Sequence, residues 1–146
     1  MKKKVIIGVL IVVLLVSSII LGFVMSQNKT KDIEAFIVLK ETGKSYDTLF
    51  IKTYEEYNET LKKYNALGKL TASDFTENDY LIDFIPYKKN MSIKNISVEL
   101  GEKIKIDYEV NLELKDNDKL LINFIPLKKG LLSEIRPVEQ SIKVSK

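Results

Sequence analysis

From Val5 to Met25 the chain runs for 21 residues without a charge, VIIGVLIVVLLVSSIILGFVM. As a helix rising about 1.5 Å per residue, such a run reaches roughly 30 Å, the thickness of a bilayer hydrocarbon core. Its polar residues are Ser17 and Ser18, whose hydroxyls can bond back to helix carbonyls. No other segment is apolar enough to surround so uniform a cylinder, which argues against a buried core helix. Lys2, Lys3 and Lys4 form the denser positive cluster and precede the run, so they are expected to stay in the cytoplasm. The expected layout is a cytoplasmic N-terminus at 1–4, a transmembrane signal-anchor at 5–25, a linker at 26–32 and one extracytoplasmic domain at 33–146. The alternative is a cleaved signal peptide and a secreted product, with Val24 and Ser26 as the small-residue cleavage pattern. A lipoprotein is excluded because there is no cysteine. A type IV pilin is excluded because cleavage after Gly22 would discard the helix that a pilin keeps.

Composition narrows the chemistry. The chain lacks cysteine, histidine and tryptophan. Disulfides, thiolate catalysis, histidine general-base triads and histidine or cysteine zinc sites are therefore ruled out, and no residue pattern calls for a cofactor or a metal. Lys2–Lys4 are three of the 23 basic residues and all 20 acids follow them, so the rest of the chain is formally neutral. Nucleic acid, whose binding draws on a basic surplus, is not an expected partner. An exported domain without disulfides must be held by its core alone, which suits a bacterial envelope protein.

Past the tether, Ile33 to Lys40 has the β-branched and aromatic content of a strand and Glu41 to Lys44 reads as a turn. Leu49 to Lys52 is a second, short strand. Thr53 with Glu56 three positions on forms a capping box, opening a helix whose stripe is Tyr57, Leu61 and Tyr64, ended by Gly68. Leu70 to Asp79 reads as an irregular acidic connector. Tyr80 to Pro86, apolar on both faces except at Asp83, reads as a central strand. Ile96, Val98 and Leu100 alternate with polar residues, as do Ile104 through Leu114, the strongest period-two signal in the chain. A three-residue loop, Gly101 to Lys103, sets Leu100 opposite Ile104 and Val98 opposite Ile106, keeping both apolar rows on one face. A further reversal at Lys115 to Lys119 would pair Leu114 with Leu120 and Val110 with Phe124. Val138, Ile142 and Val144 supply a last strand, placed at an edge because Pro137 opens it. The expected fold class is α+β: an N-terminal transmembrane helix, then a mainly antiparallel β-sheet packed with one amphipathic helix.

Residues 80–99 align without gaps on 120–139 with nine identities in twenty. Each copy is an apolar strand, a proline and a lysine pair. If the two strands are antiparallel, Lys88 and Lys89 lie at one end of the sheet and Lys128 and Lys129 at the other. Asp83 and Asn123 hold matching places. A buried Asp83 would be a candidate functional acid; a partly solvated or lysine-paired one would be structural. Candidate binding residues are thus Asp83, Lys88, Lys89, Lys128 and Lys129, with no catalytic or metal-ligating residue assigned.

A capped helix, a link containing Asp74 and Phe75, a hydrophobic strand, two hairpins and a closing strand make an order that resembles bacterial PrcB-type domains over roughly residues 50–144. The resemblance implies an exported, membrane-associated protein linked with stabilising a surface protease complex. That family's glycine-rich segment with an aromatic residue is replaced here by Tyr87 to Ile93, YKKNMSI, and no functional residue carries across.

Together these readings point to a non-enzymatic, single-pass membrane-anchored module that binds another envelope protein. A small-ligand sensor, needing an apolar pocket between helix and sheet, is the alternative. A carboxylate enzyme using Asp83 with Asp107 or Glu109 is a third reading, weakened because alternation points Asp107 and Glu109 outward.

Overall fold

The computed structural model describes residues 33–145. The apolar run at 5–25 and the linker lie outside the described residues. Among the described residues no helix is long and apolar enough to cross a membrane.

The chain forms β1 (Glu34–Leu39), β2 (Leu49–Ile51), α1 (Tyr54–Lys63), α2 (Asp74–Glu77), β3 (Asn78–Pro86), β4 (Ile93–Leu100), β5 (Ile104–Val110), β6 (Lys119–Lys128) and β7 (Val138–Val144). Two sheets result. One is four-stranded and antiparallel throughout, in the order β1-β6-β3-β2. The other is three-stranded, β4-β5-β7, with β4 antiparallel and β7 parallel to β5.

The expected α+β arrangement of one helix on a single antiparallel sheet is therefore wrong. Among the described residues the fold is two facing β-sheets, one of them mixed, with two short helices. Strands buried on both faces explain it. Along β3 and β6, Tyr80, Ile82, Phe84, Leu120, Ile122 and Phe124 pack with Tyr57, Tyr64 and Phe75 of the helical layer. The alternate residues Leu81, Ile85, Ile125 and Leu127 pack instead against Ile96, Val98, Ile104, Ile106 and Tyr108 of the second sheet. A strand apolar on both faces needs cover on both, and the second sheet supplies the cover that a single-sheet fold lacks.

The expected pairing of Leu114 with Leu120 and Val110 with Phe124 is also overturned. Strand β5 stops at Val110, where Asn111 accepts a hydrogen bond from Ser92 N–H at 2.7 Å and donates to Asn90 O at 3.1 Å. Leu112 and Leu114 keep the period of two but have left the ladder; the chain crosses there to the other sheet. The three-residue loop holds as expected, with Leu100 opposite Ile104 and Val98 opposite Ile106, and β7 is an edge strand.

The capping box forms as read: Thr53 Oγ1 accepts from Glu56 N–H and Glu56 Oε2 from Thr53 N–H at 3.0 Å. Helix α1 ends at Lys63 with Tyr64 as its C-cap, before Gly68. The acidic connector contains the short helix α2, and Asp79 at its end is a buried member of β3.

The internal similarity has a conformational counterpart. Strands β3 and β6 are antiparallel with Asp83 directly opposite Asn123, so a local two-fold relates the copies. Each is followed by the same turn, closed by Met91 N–H to Lys88 O and by Leu131 N–H to Lys128 O. The matching residues Asn90 and Gly130 have φ of 67° and 79°, a left-handed backbone that glycine and asparagine tolerate. The strands that follow, β4 and β7, flank β5 with opposite sense, which is the sense a two-fold requires.

Candidate functional site

The layer between the sheets is mainly aliphatic, and at its centre Asp83, Asn123 and Tyr108 meet. Asp83 is 2 % exposed and Asn123 fully buried. Asp83 carries a complete set of donors. Thr48 Oγ1 donates to its Oδ1 at 2.6 Å, and Tyr108 OH and Gln140 Nε2 donate to its Oδ2, each at 2.7 Å. Gln140 also donates to Phe84 O at 3.0 Å. Burial, then the Asp83 charge and its hydrogen bond, hold the Tyr108 hydroxyl well above the usual tyrosine range, while a hydrogen bond from Asn123 acts the other way. Tyr108 is therefore a neutral donor at physiological pH, and the Asp83 carboxyl oxygens are satisfied without a lysine. Neither the partly solvated nor the lysine-paired reading of Asp83 describes it.

On the β2–β7 side this network borders an open cleft of about 430 Å³, with Tyr46, Thr48, Asp83, Arg136 and Gln140 in its wall. On the β1–β4 side lies a second, apolar cleft of about 230 Å³, lined by Ile33, Ala35, Ile93, Ile96, Leu121 and Asn123. A β-bulge between Ile93 and Asn95 creates its wall. The extra residue sets Ile93 opposite Val110 and Ile96 opposite Tyr108, so both isoleucines share the inner face of β4.

Asp83 is not joined by Asp107 or Glu109. Those two alternate with the buried Ile106, Tyr108 and Val110 and lie on the other face of β5, where Asp107 accepts from Ser141 Oγ. A carboxylate pair across one cleft is thus absent at Asp83. The space between α1 and its sheet is filled by rings, including Tyr57 edge-on to Phe124 at 5.2 Å and Tyr64 against Phe84 at 5.1 Å. A groove of about 530 Å³ lies instead beside β2, with Glu56, Glu59, Lys63 and Glu134 at its rim.

The lysine pairs lie at opposite ends of the β3–β6 ladder, as antiparallel strands require. Lys88, Lys89 and Lys128 are exposed. Lys129 is engaged: its ammonium donates to Lys52 O and Phe75 O, both at 2.9 Å, and lies 3.1 Å from Asp79 Oδ1. That oxygen is matched by the ion pair rather than by an aligned hydrogen bond, while Asp79 Oδ2 accepts from Gly130 N–H at 3.0 Å. Lys129 thus ties α2, β2 and β6 together and is spoken for.

Sequence reading missed Thr48, Tyr108 and Gln140. Tyr108 carried a signal, since a hydroxyl among the inward-facing Ile104, Ile106 and Val110 must find a partner once buried. Thr48, in the loop before β2, and Gln140, in the edge strand β7, come from distant parts of the chain and carried none.

The other distinctive surface is the outer edge of β1. Among the described residues no strand pairs with it. Ile37 and Leu39 are 53 % and 61 % exposed. Its one charge, Glu34, is turned inward, accepting from Tyr57 OH at 2.7 Å and from Lys69 N–H.

Comparison with known protein families, characterised proteins and solved structures finds no match to this chain.

Proposed function

We propose that this chain is a membrane-anchored extracytoplasmic interaction module that receives an extended segment of another envelope protein along the open edge of β1. The observation that carries the reading is the contrast among the four sheet edges. Natural sheets blunt their edges with shortness, bulges, proline or charge. Strand β2 has three residues. Strand β4 has a bulge and Lys94. Strand β7 follows Pro137 and carries Glu139 and Lys143. Strand β1, EAFIVL, has none of these devices along Ala35–Leu39. An apolar edge without those devices, capped at Leu39 O by the Tyr46 hydroxyl at 3.3 Å, is the geometry of strand addition, in which main-chain hydrogen bonds give affinity and alternate side chains give specificity.

Location supports the same reading. Only eight residues separate Met25 from Glu34, so an anchored chain would hold β1 within about 30 Å of the bilayer. A partner in or on the same membrane would be within reach.

A photo-reactive residue at position 37 in the full chain, irradiated in native membranes, tests the proposal. A discrete partner cross-linked from position 37 and lost on Leu39→Lys is the expected result. No partner, or the same cross-links from a control position at Lys143, would refute it.

A further inference from the structure

We infer that the cleft between β1 and β4 is a binding site for a small, uncharged, largely apolar molecule carrying a single hydrogen-bond donor. Its walls are Ile33, Ala35, Ile93, Ile96 and Leu121, and its volume is about 230 Å³. An aliphatic cavity of about 150 Å³ accommodates a benzene ring, so this one suits a small bicyclic molecule. No charged side chain stands in the lining, which disfavours an ionised ligand, whose desolvation would go unanswered.

Asn123 supplies the polar element. It is fully buried and lines the cleft, yet its Oδ1 has no hydrogen-bond partner among the described residues. Its amide nitrogen is occupied, turned to Leu121 O at 3.4 Å and to the Tyr108 hydroxyl. Buried carbonyl oxygens in folded proteins are nearly always paired, and each exception asks for a reason. A ligand N–H or O–H would complete Asn123, while the ring or chain bearing it covers the isoleucines. At the equivalent point of β3, Asp83 has all its donors from the protein itself. The pair is thus asymmetric: the Asp83 carboxyl oxygens are satisfied by the protein, while the Asn123 oxygen, buried at the wall of the β1–β4 cleft, is not. This site shares Ala35 with β1 but opens on the face of the strand and not along its outer edge, and it stands whether or not a strand docks there.

Indole and its carbocyclic analogue indene have nearly the same shape and differ in the N–H, so they separate recognition by Asn123 from simple apolar filling. The full chain, labelled at asparagine side-chain nitrogens and isoleucine methyls, is titrated with each and followed by NMR. Saturable shifts of the Asn123 amide and of the Ile93 and Ile96 methyls are expected, with indole binding about tenfold more tightly than indene. Asn123→Leu should abolish that preference. Ala35→Phe, at an exposed position on the rim, should block both probes while leaving the rest of the spectrum native. Absence of saturable shifts, equal affinity for the two probes, or binding that survives Ala35→Phe would each overturn the assignment.

Discussion

Asp83 and Asn123 face each other across the centre of the β3–β6 ladder, and both project into the aliphatic layer between the sheets. The carboxylate is satisfied by three side-chain donors, whereas the carboxamide keeps a free oxygen. Replacing the two should therefore have opposite consequences. Asp83→Leu strands the Tyr108 and Thr48 donors and removes one of the two acceptors of Gln140, and should cost about 3 kcal/mol or more. Asn123→Leu removes an unpaired buried oxygen and should leave stability within about 1 kcal/mol of the parent. Urea unfolding of both variants checks this, and equal losses would show that the free oxygen is paired in solution.

Alkaline pH should weaken the fold through tyrosine. Burial and Asp83 raise the Tyr108 pKa, and burial and Glu34 raise that of Tyr57. In the unfolded chain both ionise near the ordinary value of about 10. Above that pH the folded state binds more protons than the unfolded state, so stability falls as pH rises, by up to about 1.4 kcal/mol per pH unit for each group. Below about pH 9 neither contributes a slope. Tyr108→Phe should reduce the slope between pH 10 and 11 and should also cost about 1–3 kcal/mol at neutral pH through the lost donor to Asp83. A slope unchanged in Tyr108→Phe would contradict the shift.

Gly68 packs directly on Tyr57. A Cβ there would overlap the Tyr57 hydroxyl and ring edge, and the ring cannot yield: it is 1 % exposed, with its hydroxyl donating to Glu34 and accepting from Leu70 N–H at 3.2 Å. Gly68→Ala should destabilise by about 1–3 kcal/mol, as overpacking does, despite the exposure of the glycine itself. A thermal melt matching the parent would show that the 66–70 segment can move off the ring.

Adjacent lysines should behave differently. Lys129→Met removes the ammonium from Asp79, which is almost completely buried, and from two backbone carbonyls. With the lysine side chain itself 44 % exposed, solvent screening limits the loss to about 1–3 kcal/mol. Lys128→Met should fall within about 0.5 kcal/mol of the parent. Chemical denaturation of the two variants side by side decides the point.

Lysine at the β1 edge should separate stability from binding. Ile37→Lys and Leu39→Lys alter side chains already more than half exposed, so each should leave the melting curve within about 0.5 kcal/mol of the parent while abolishing partner capture. A large loss of stability would mean that this edge is covered in the intact chain.

Sequence alone determined what is local. The Thr53–Glu56 capping box, the alternation that marks β4 and β5, and the loop that joins them are set by residues a few positions apart, whose geometry depends on backbone period and hydrogen-bond reach. The absence of cysteine, histidine and tryptophan likewise bounds the chemistry without any fold. Which strand sits beside which was decided only by the tertiary structure. Leu112 and Leu114 continue the period of two, but Asn111 latches onto the 90–92 turn and the chain changes sheets. The parallel β5–β7 pair and the second sheet over β3 and β6 follow from burying both faces of those strands, a condition that no window of local sequence expresses. The site shares that origin. Asp83 stood out in sequence as a lone acid in an apolar strand, yet Thr48, Tyr108 and Gln140 reach it from separate strands and a loop, because the pairing of a buried charge is settled by packing and not by proximity along the chain.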